Sequence, residues 1–269
     1  MFIEPTIPVA FSHIGQRAVN QDSIYPAVGQ ATDQSQLFIV CDGMGGADKG
    51  EIASQLLCEA FVTYATSANQ QFADSTQLSA ALALAYQAYD NYLKQHPFVS
   101  RMGSTLALLQ FHEQGATIAH IGDSRVYQLR NGAIIFQTQD HKQVNDMVEA
   151  GIITATQAIT HPWRNRLSRA VVASAGTDDA ASAKPDVTCL TDIQAGDYFF
   201  LCTDGVLEQV DNYVLETILA QAIPDQAKVQ AILSLCAGQT KDNYSGYLIG
   251  INQVRETNAL RTSVLPERW

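Results

Sequence analysis

Four apolar runs that follow one another between residues 104 and 138 constrain this chain more than any other feature. STLALLQF, ATIAHIG, RVYQLR and AIIFQT are separated by two to four residues, too few for the crossover that parallel neighbours need. They predict an antiparallel meander. Asn131-Gly132, between the last two, is the sharpest hairpin signal, because both residue types tolerate the positive φ that a two-residue turn requires. LFIVC at 37–41 reads as a buried strand ending at Asp42-Gly43, YFFLCT at 198–203 as one ending at Asp204-Gly205, and YLIGI at 247–251 as a last strand. Helical spacing covers 51–68 through Ile52, Leu56, Phe61 and Ala65, and 76–95 through Leu78, Leu82, Ala85, Tyr89 and Leu93, stopping before Pro97. Helical stretches also fill 143–170, broken at His161-Pro162, and 212–237. Strands and helices do not alternate strictly, which disfavours a parallel sheet and points to a single α+β domain with its helices in pairs.

With 269 residues, 46% of them hydrophobic, such a domain buries a substantial core. Lysine and arginine number 16 against 27 acidic residues, and the formal charge of −11 repels a polyanion, so no nucleic acid is expected as partner. Cys41, Cys58, Cys189, Cys202 and Cys236 are odd in number, widely spaced and mostly set in apolar segments, and read as reduced core residues. The start MFIEPTIPV lacks the basic and apolar regions of a secretion signal, and no segment approaches a membrane span, so a cytoplasmic location and no membrane partner are expected. AVVASAGTDDAASAK at 170–184 reads as a mobile surface excursion, and the tail from about 253 to Trp269 has no periodicity. No P-loop and no strand–GxGxxG–helix unit is present.

Asp-Gly pairs are ordinary turn residues, so Asp42-Gly43 or Asp204-Gly205 alone says little. Their combination with Asn20-Gln21-Asp22, Gly122-Asp123-Ser124-Arg125 and Asp242-Asn243, each beside a strand, is poorly explained by coincident turns. Oxygen-only ligands select hard ions, so clustered aspartates favour magnesium or manganese over zinc. Two such ions lower the pKa of shared water and shield a phosphoryl group under in-line attack. The six histidines show no ligand spacing, and neither a serine–histidine–acid set nor a G-x-S-x-G elbow appears.

In one order the chain carries R-x-x-N-Q-D (Arg17 to Asp22), DGMGG (42–46), MGST (102–105), GDSR (122–125), DH (140–141), TDG (203–205) and DN (242–243). From about residue 9 to 251 it resembles a bacterial member of the metal-dependent protein serine/threonine phosphatases, the type 2C family. That resemblance implies a four-layer α-β-β-α sandwich, two packed antiparallel sheets flanked by helix pairs, with the metals at one end. The catalytic domain would span 1–252, with a flap at about 143–185 that sets substrate choice, followed by the tail 253–269. It implies two Mn2+ or Mg2+ ions and a third, weaker one. Asp42 would bridge the pair, the Gly43 carbonyl would bind one ion, Asp204 and Asp242 would hold the other, Asp22 would support the site, and Asp123 would join Asp204 at the third. Arg17 would grip the substrate phosphate. The reaction implied is hydrolysis of phosphoserine or phosphothreonine in one step, by a hydroxide bridging the ions, on substrates of a bacterial serine/threonine kinase. Alternative functions are a silent phosphoprotein-binding module and a small-molecule phosphatase using the same metal site.

The sequence departs from the family in three places. Met44 follows the bridging Asp-Gly where some relatives have a histidine, and Ala47 follows DGMGG where others have one, so the general acid is unassigned. Gln21 stands where an acid is common. Gly45, Gly46 and Gly103 read as close backbone approaches, Ser104 and Thr105 as the start of a core strand, and Asp140-His141, Arg125 and Tyr127 as scaffold.

Overall fold

Asn131 and Gly132 take φ of 53° and 80°, so the hairpin forms where its two turn residues predict it. The computed structural model describes residues 1–44, 49–67, 71–72, 75–175 and 183–255. Gly45, Gly46 and Ala47 lie outside these, as do residues 176–182 of the small-residue segment and the tail beyond Arg255. In chain order the strands are β1 (Phe2–Pro5), β2 (Val9–His13), β3 (Asp22–Tyr25), β4 (Leu37–Asp42), β5 (Arg101–Ser104), β6 (Leu106–His112), β7 (Gly115–Ile121), β8 (Arg125–Arg130), β9 (Ala133–Gln137), β10 (Val171–Ser174), β11 (Asp186–Leu190), β12 (Tyr198–Cys202) and β13 (Tyr244–Arg255). The helices are α1 (Gly50–Ser67), α2 (Ser75–Gln95), α3 (Gln143–Glu149), α4 (Ala155–Thr160), α5 (Asp204–Leu207), α6 (Asn212–Leu219) and α7 (Asp225–Cys236).

One sheet runs β1-β13-β12-β8-β9, with β2 also on β13; the other runs β11-β7-β6-β4-β3; every pairing is antiparallel. The uninterrupted apolar runs FIVC and FFLC follow from both sheet faces being covered. Phe38 and Val40 meet Phe199, Leu201, Tyr247 and Ile249 between the sheets, while Ile39 and Cys41 face α1 and α2. Phe200 and Cys202 point the other way, into a layer closed by α6 and α7. The expected α-β-β-α order is therefore present. Each such side chain, buried at below 2% exposure, contributes roughly 1.5–3 kcal/mol.

Three expectations need correction. Val171–Ser174 form β10, paired residue for residue with Arg101–Ser104, so this part of the presumed excursion is ordered by the strand that carries MGST. The last strand, expected at 247–251, runs from Tyr244 through Arg255, because Phe2, Ile3 and Glu4 pair with Arg255, Val254 and Gln253. Cys189 is exposed, on β11 at the edge of its sheet, whereas the other four cysteines are buried. Among the described residues no helix is long and apolar enough to cross a membrane.

Candidate active site

Side chains alternate along β4, so Asp42 falls on the same inter-sheet side as Phe38 and Val40, at the open end of the sandwich. Across the ladder Asp22 is its direct partner. Like charges placed opposite one another destabilise a strand pair, and an apolar residue at either position would relieve the cost. The backbone nonetheless holds Asp42 firmly. Its N–H donates to Thr105 Oγ1 at 3.0 Å, and its carbonyl accepts from Thr105 N–H and Ser104 Oγ, both at 2.9 Å. The next residue has no room for a side chain: a Cβ on Gly43 would lie 2.1 Å from the Gly50 carbonyl oxygen.

Asp204 opens α5 directly after β12, and Asp242 precedes β13. Asn243, 3% exposed, ties the two ends of the site together. Its amide donates to the carbonyls of Ile14 (2.8 Å) and Val19 (3.0 Å), and its oxygen accepts from Gln21 N–H at 2.8 Å. The loop that carries Arg17 is thereby fixed to the turn that carries Asp242. Arg17 donates from Nε and Nη2 to both oxygens of Asp242, at 2.9 and 2.6 Å, and its side chain is 51% exposed. The fork expected to face phosphate is thus spent on a carboxylate, and Nη1 is left as a donor with no partner among the described residues.

Asp123 projects from the β7–β8 turn. There Gly122 has φ +104°, and a Cβ would lie 2.6 Å from Thr105 Cγ2. Lys142 places Nζ 3.1 Å from Asp123 Oδ2 and 3.0 Å from Asp140 Oδ2. Burial opposes charge on this lysine, but the two carboxylates outweigh it and its pKa stands above the usual value. In the sequence Lys142 carries no signal of its own beyond following the DH pair directly. Asp140 also takes a two-point bond from Arg125 at 2.6 and 2.9 Å, and Arg125 reaches Tyr127 Oη at 2.8 Å, the scaffold role expected of all three.

A cavity of about 520 Å3 gathers Asp42, Asp123, Asp204 and Asp242 with Met44, Thr105, Arg101, Gln143, Asn165, Arg166 and Leu167. Asp22 sits behind it, its Oδ2 accepting from Thr203 Oγ1 at 3.0 Å. Burial, then the charges of Asp204 and Asp242, push the Asp22 carboxyl up to about 7 against its hydrogen bonds. Burial and the charges of Asp123 and Asp242 raise Asp204 likewise to about 7. Asp42 is raised further by burial and by all four neighbouring aspartates. Oδ1 of Asp22 and Oδ1 of Asp204 are buried without a hydrogen-bond partner among the described residues. Buried, repelling, unpartnered carboxylate oxygens are the donor set of a hard divalent cation, so these residues fit the metal the resemblance implies.

A second cluster, His120, His141 and Asp186, brings its ligand atoms within 4.8 Å of one another. Its hydrogen bonds mark it as scaffold. His141 Nδ1 accepts from Gly122 N–H at 3.1 Å, so its Nε2 carries the proton that meets Asp186 at 3.1 Å, and His120 Nε2 donates to the Gln139 carbonyl at 2.8 Å.

The protein phosphatase 2C family model matches residues 11–234. The chain belongs to the protein phosphatase 2C family. Among its phosphatase 2C relatives, serine/threonine protein phosphatase PstP of Mycobacterium tuberculosis is 31% identical over 224 residues, 82% of this chain and 40% of that protein. The chain thus spans less than half the length of this relative. Protein phosphatase PhpP of Streptococcus pneumoniae is 28% identical over 244 residues, 89% of this chain and 95% of that one. The crystal structure of M. tuberculosis PstP superposes with a TM-score of 0.74 at 30% identity, covering 91% of this chain and 98% of that chain. A PstP catalytic domain in complex with two manganese ions superposes at 0.71 and 29% identity, again covering 91% and 98%.

Proposed function

We propose that this phosphatase 2C protein hydrolyses phosphoserine and phosphothreonine esters in proteins, with Asp22, Asp42, Asp204, Asp242 and the Gly43 carbonyl holding two Mn2+ or Mg2+ ions. The observation that carries this reading is the convergence of the aspartates with two unpartnered buried oxygens, Asp22 Oδ1 and Asp204 Oδ1. Divalent ions bound there would lower the pKa of water toward neutrality and neutralise phosphoryl charge during in-line attack. Asp242 serves twice, as a ligand and as the group that aims Arg17, whose Nη1 is left to take a phosphate oxygen. Met44 lines the cavity and its thioether donates no proton, so it is not the group that protonates the leaving alkoxide. The third-ion position at Asp123 competes with Lys142 for the same carboxylate. The manganese-bearing PstP structure and the names of PstP and PhpP support the reading.

The catalytic unit in this reading is the sandwich with its flap at about 143–185. Its substrates are phosphoproteins made by a bacterial serine/threonine kinase in the cytoplasm. The test is p-nitrophenyl phosphate hydrolysis with Mn2+ by wild type and Asp42→Asn. Loss of about 100-fold or more is expected from removing a group that stabilises the transition state; equal rates would refute the assignment.

A further inference from the structure

Five of the eight described arginines of this acidic chain meet a carboxylate within 4.0 Å: Arg17, Arg125, Arg130, Arg169 and Arg255. Arg101, Arg164 and Arg166 form no salt bridge with any described residue, and all three lie around the catalytic cavity. Arg101 on β5 and Arg166 in the flap line that cavity beside the aspartates. Arg164 lines a neighbouring cleft of about 960 Å3 under α3 and α4, and Asn165 lines both, so the two spaces adjoin.

The two cavity arginines are anchored. Arg101 is held in the β5–β10 ladder opposite Ser174. The Arg166 carbonyl accepts from Gln143 N–H at 2.9 Å, and its guanidinium lies over the Trp163 ring, 5.3 Å from the centroid. A planar fork fixed by an aromatic face and left without a carboxylate is suited to an incoming anion. The scissile phosphate already has Arg17 and the metal site, so these arginines are supernumerary for the bond that breaks.

We propose that Arg101 and Arg166, with Arg164 further along the cleft, bind an anionic group next to the phosphorylated residue, so that the preferred substrates carry a carboxylate or a second phosphate beside the one removed. This rests on the phosphatase reading above and deepens it to a substrate class.

The test uses phosphothreonine peptides identical except for their flanks: alanine, glutamate or phosphoserine on either side, with p-nitrophenyl phosphate as a substrate without flanks. Wild type is expected to turn over the glutamate or phosphoserine peptides with kcat/KM about tenfold above the alanine peptide, through KM, the size of one charge-assisted contact. In Arg101→Gln/Arg166→Gln that advantage disappears, while kcat and p-nitrophenyl phosphate hydrolysis stay unchanged. Which anionic peptide shows the preference identifies the anion. Equal KM for all peptides in wild type would overturn the proposal while leaving the phosphatase reading intact. An equal loss on the alanine peptide and p-nitrophenyl phosphate would also overturn it, by assigning the arginines to the scissile phosphate. If wild type hydrolyses no substrate, the phosphatase reading falls and this one with it.

Discussion

Replacing Asp22 with asparagine should have opposite effects on stability with and without divalent metal. Asp22 faces Asp42 across the β3–β4 ladder, its Oδ1 has no partner among the described residues, and its carboxyl is pushed up to about 7 from 3.8. A folded-state pKa above the unfolded value means that the native state binds the extra proton between these two pH values. Stability is therefore highest below about 4 for this group, and falls as pH rises to about 7. At 1.36 kcal/mol per pH unit, the ionised carboxylate costs roughly 4 kcal/mol above pH 7 in chelated protein. Asparagine resembles the protonated acid: it can keep the Thr203 bond and removes the charge. In EDTA at pH 8, Asp22→Asn should melt several degrees above wild type by differential scanning fluorimetry, with the gap closing as pH is lowered to 5. With Mn2+ the order should reverse, because binding stabilises the native state in proportion to affinity and the variant has lost a ligand oxygen. A variant less stable than wild type in EDTA at pH 8 would refute the argument that Asp22 is an uncompensated charge in this site.

Lys142→Met removes the ammonium 3.1 Å from Asp123 Oδ2, and should add or strengthen one Mn2+ binding step in isothermal titration calorimetry; an unchanged isotherm would show that the lysine does not compete with an ion there. Asn243→Ala strips three hydrogen bonds from part-buried backbone groups and should cost roughly 1–3 kcal/mol in urea unfolding. It should also lower activity further than stability alone explains, by loosening the loop of Arg17, and full activity of the folded variant would contradict that coupling.

Patterns that act locally were legible in the sequence. The Asn131-Gly132 hairpin, the helices after Gly50 and before Pro97, and carboxylates at the ends of FIVC and FFLC all appear where composition puts them. What stayed hidden depends on distant partners. β1 exists because residues 2–5 meet 251–255, and nothing in FIEP announces a strand. β10 begins with two valines that favour a strand, but at four residues it is too short to announce itself and is set by the facing edge of β5. Cys189 looked like a core residue from its type, but the edge position of its strand leaves it exposed. The motif aspartates could be named from their order, whereas Lys142, Arg101 and Arg166 carry no motif and become visible only where the flap and β5 meet the carboxylates. The motif names Arg17, but its bond to Asp242 joins residues 225 apart in sequence.

Anomalous diffraction from crystals grown with Mn2+ tests the central claim most directly. Two peaks among Asp22, Asp42, Gly43, Asp204 and Asp242 are the predicted result. Manganese bound instead at His120, His141 and Asp186, or an absence of peaks at the aspartates with the metal in excess, would contradict it.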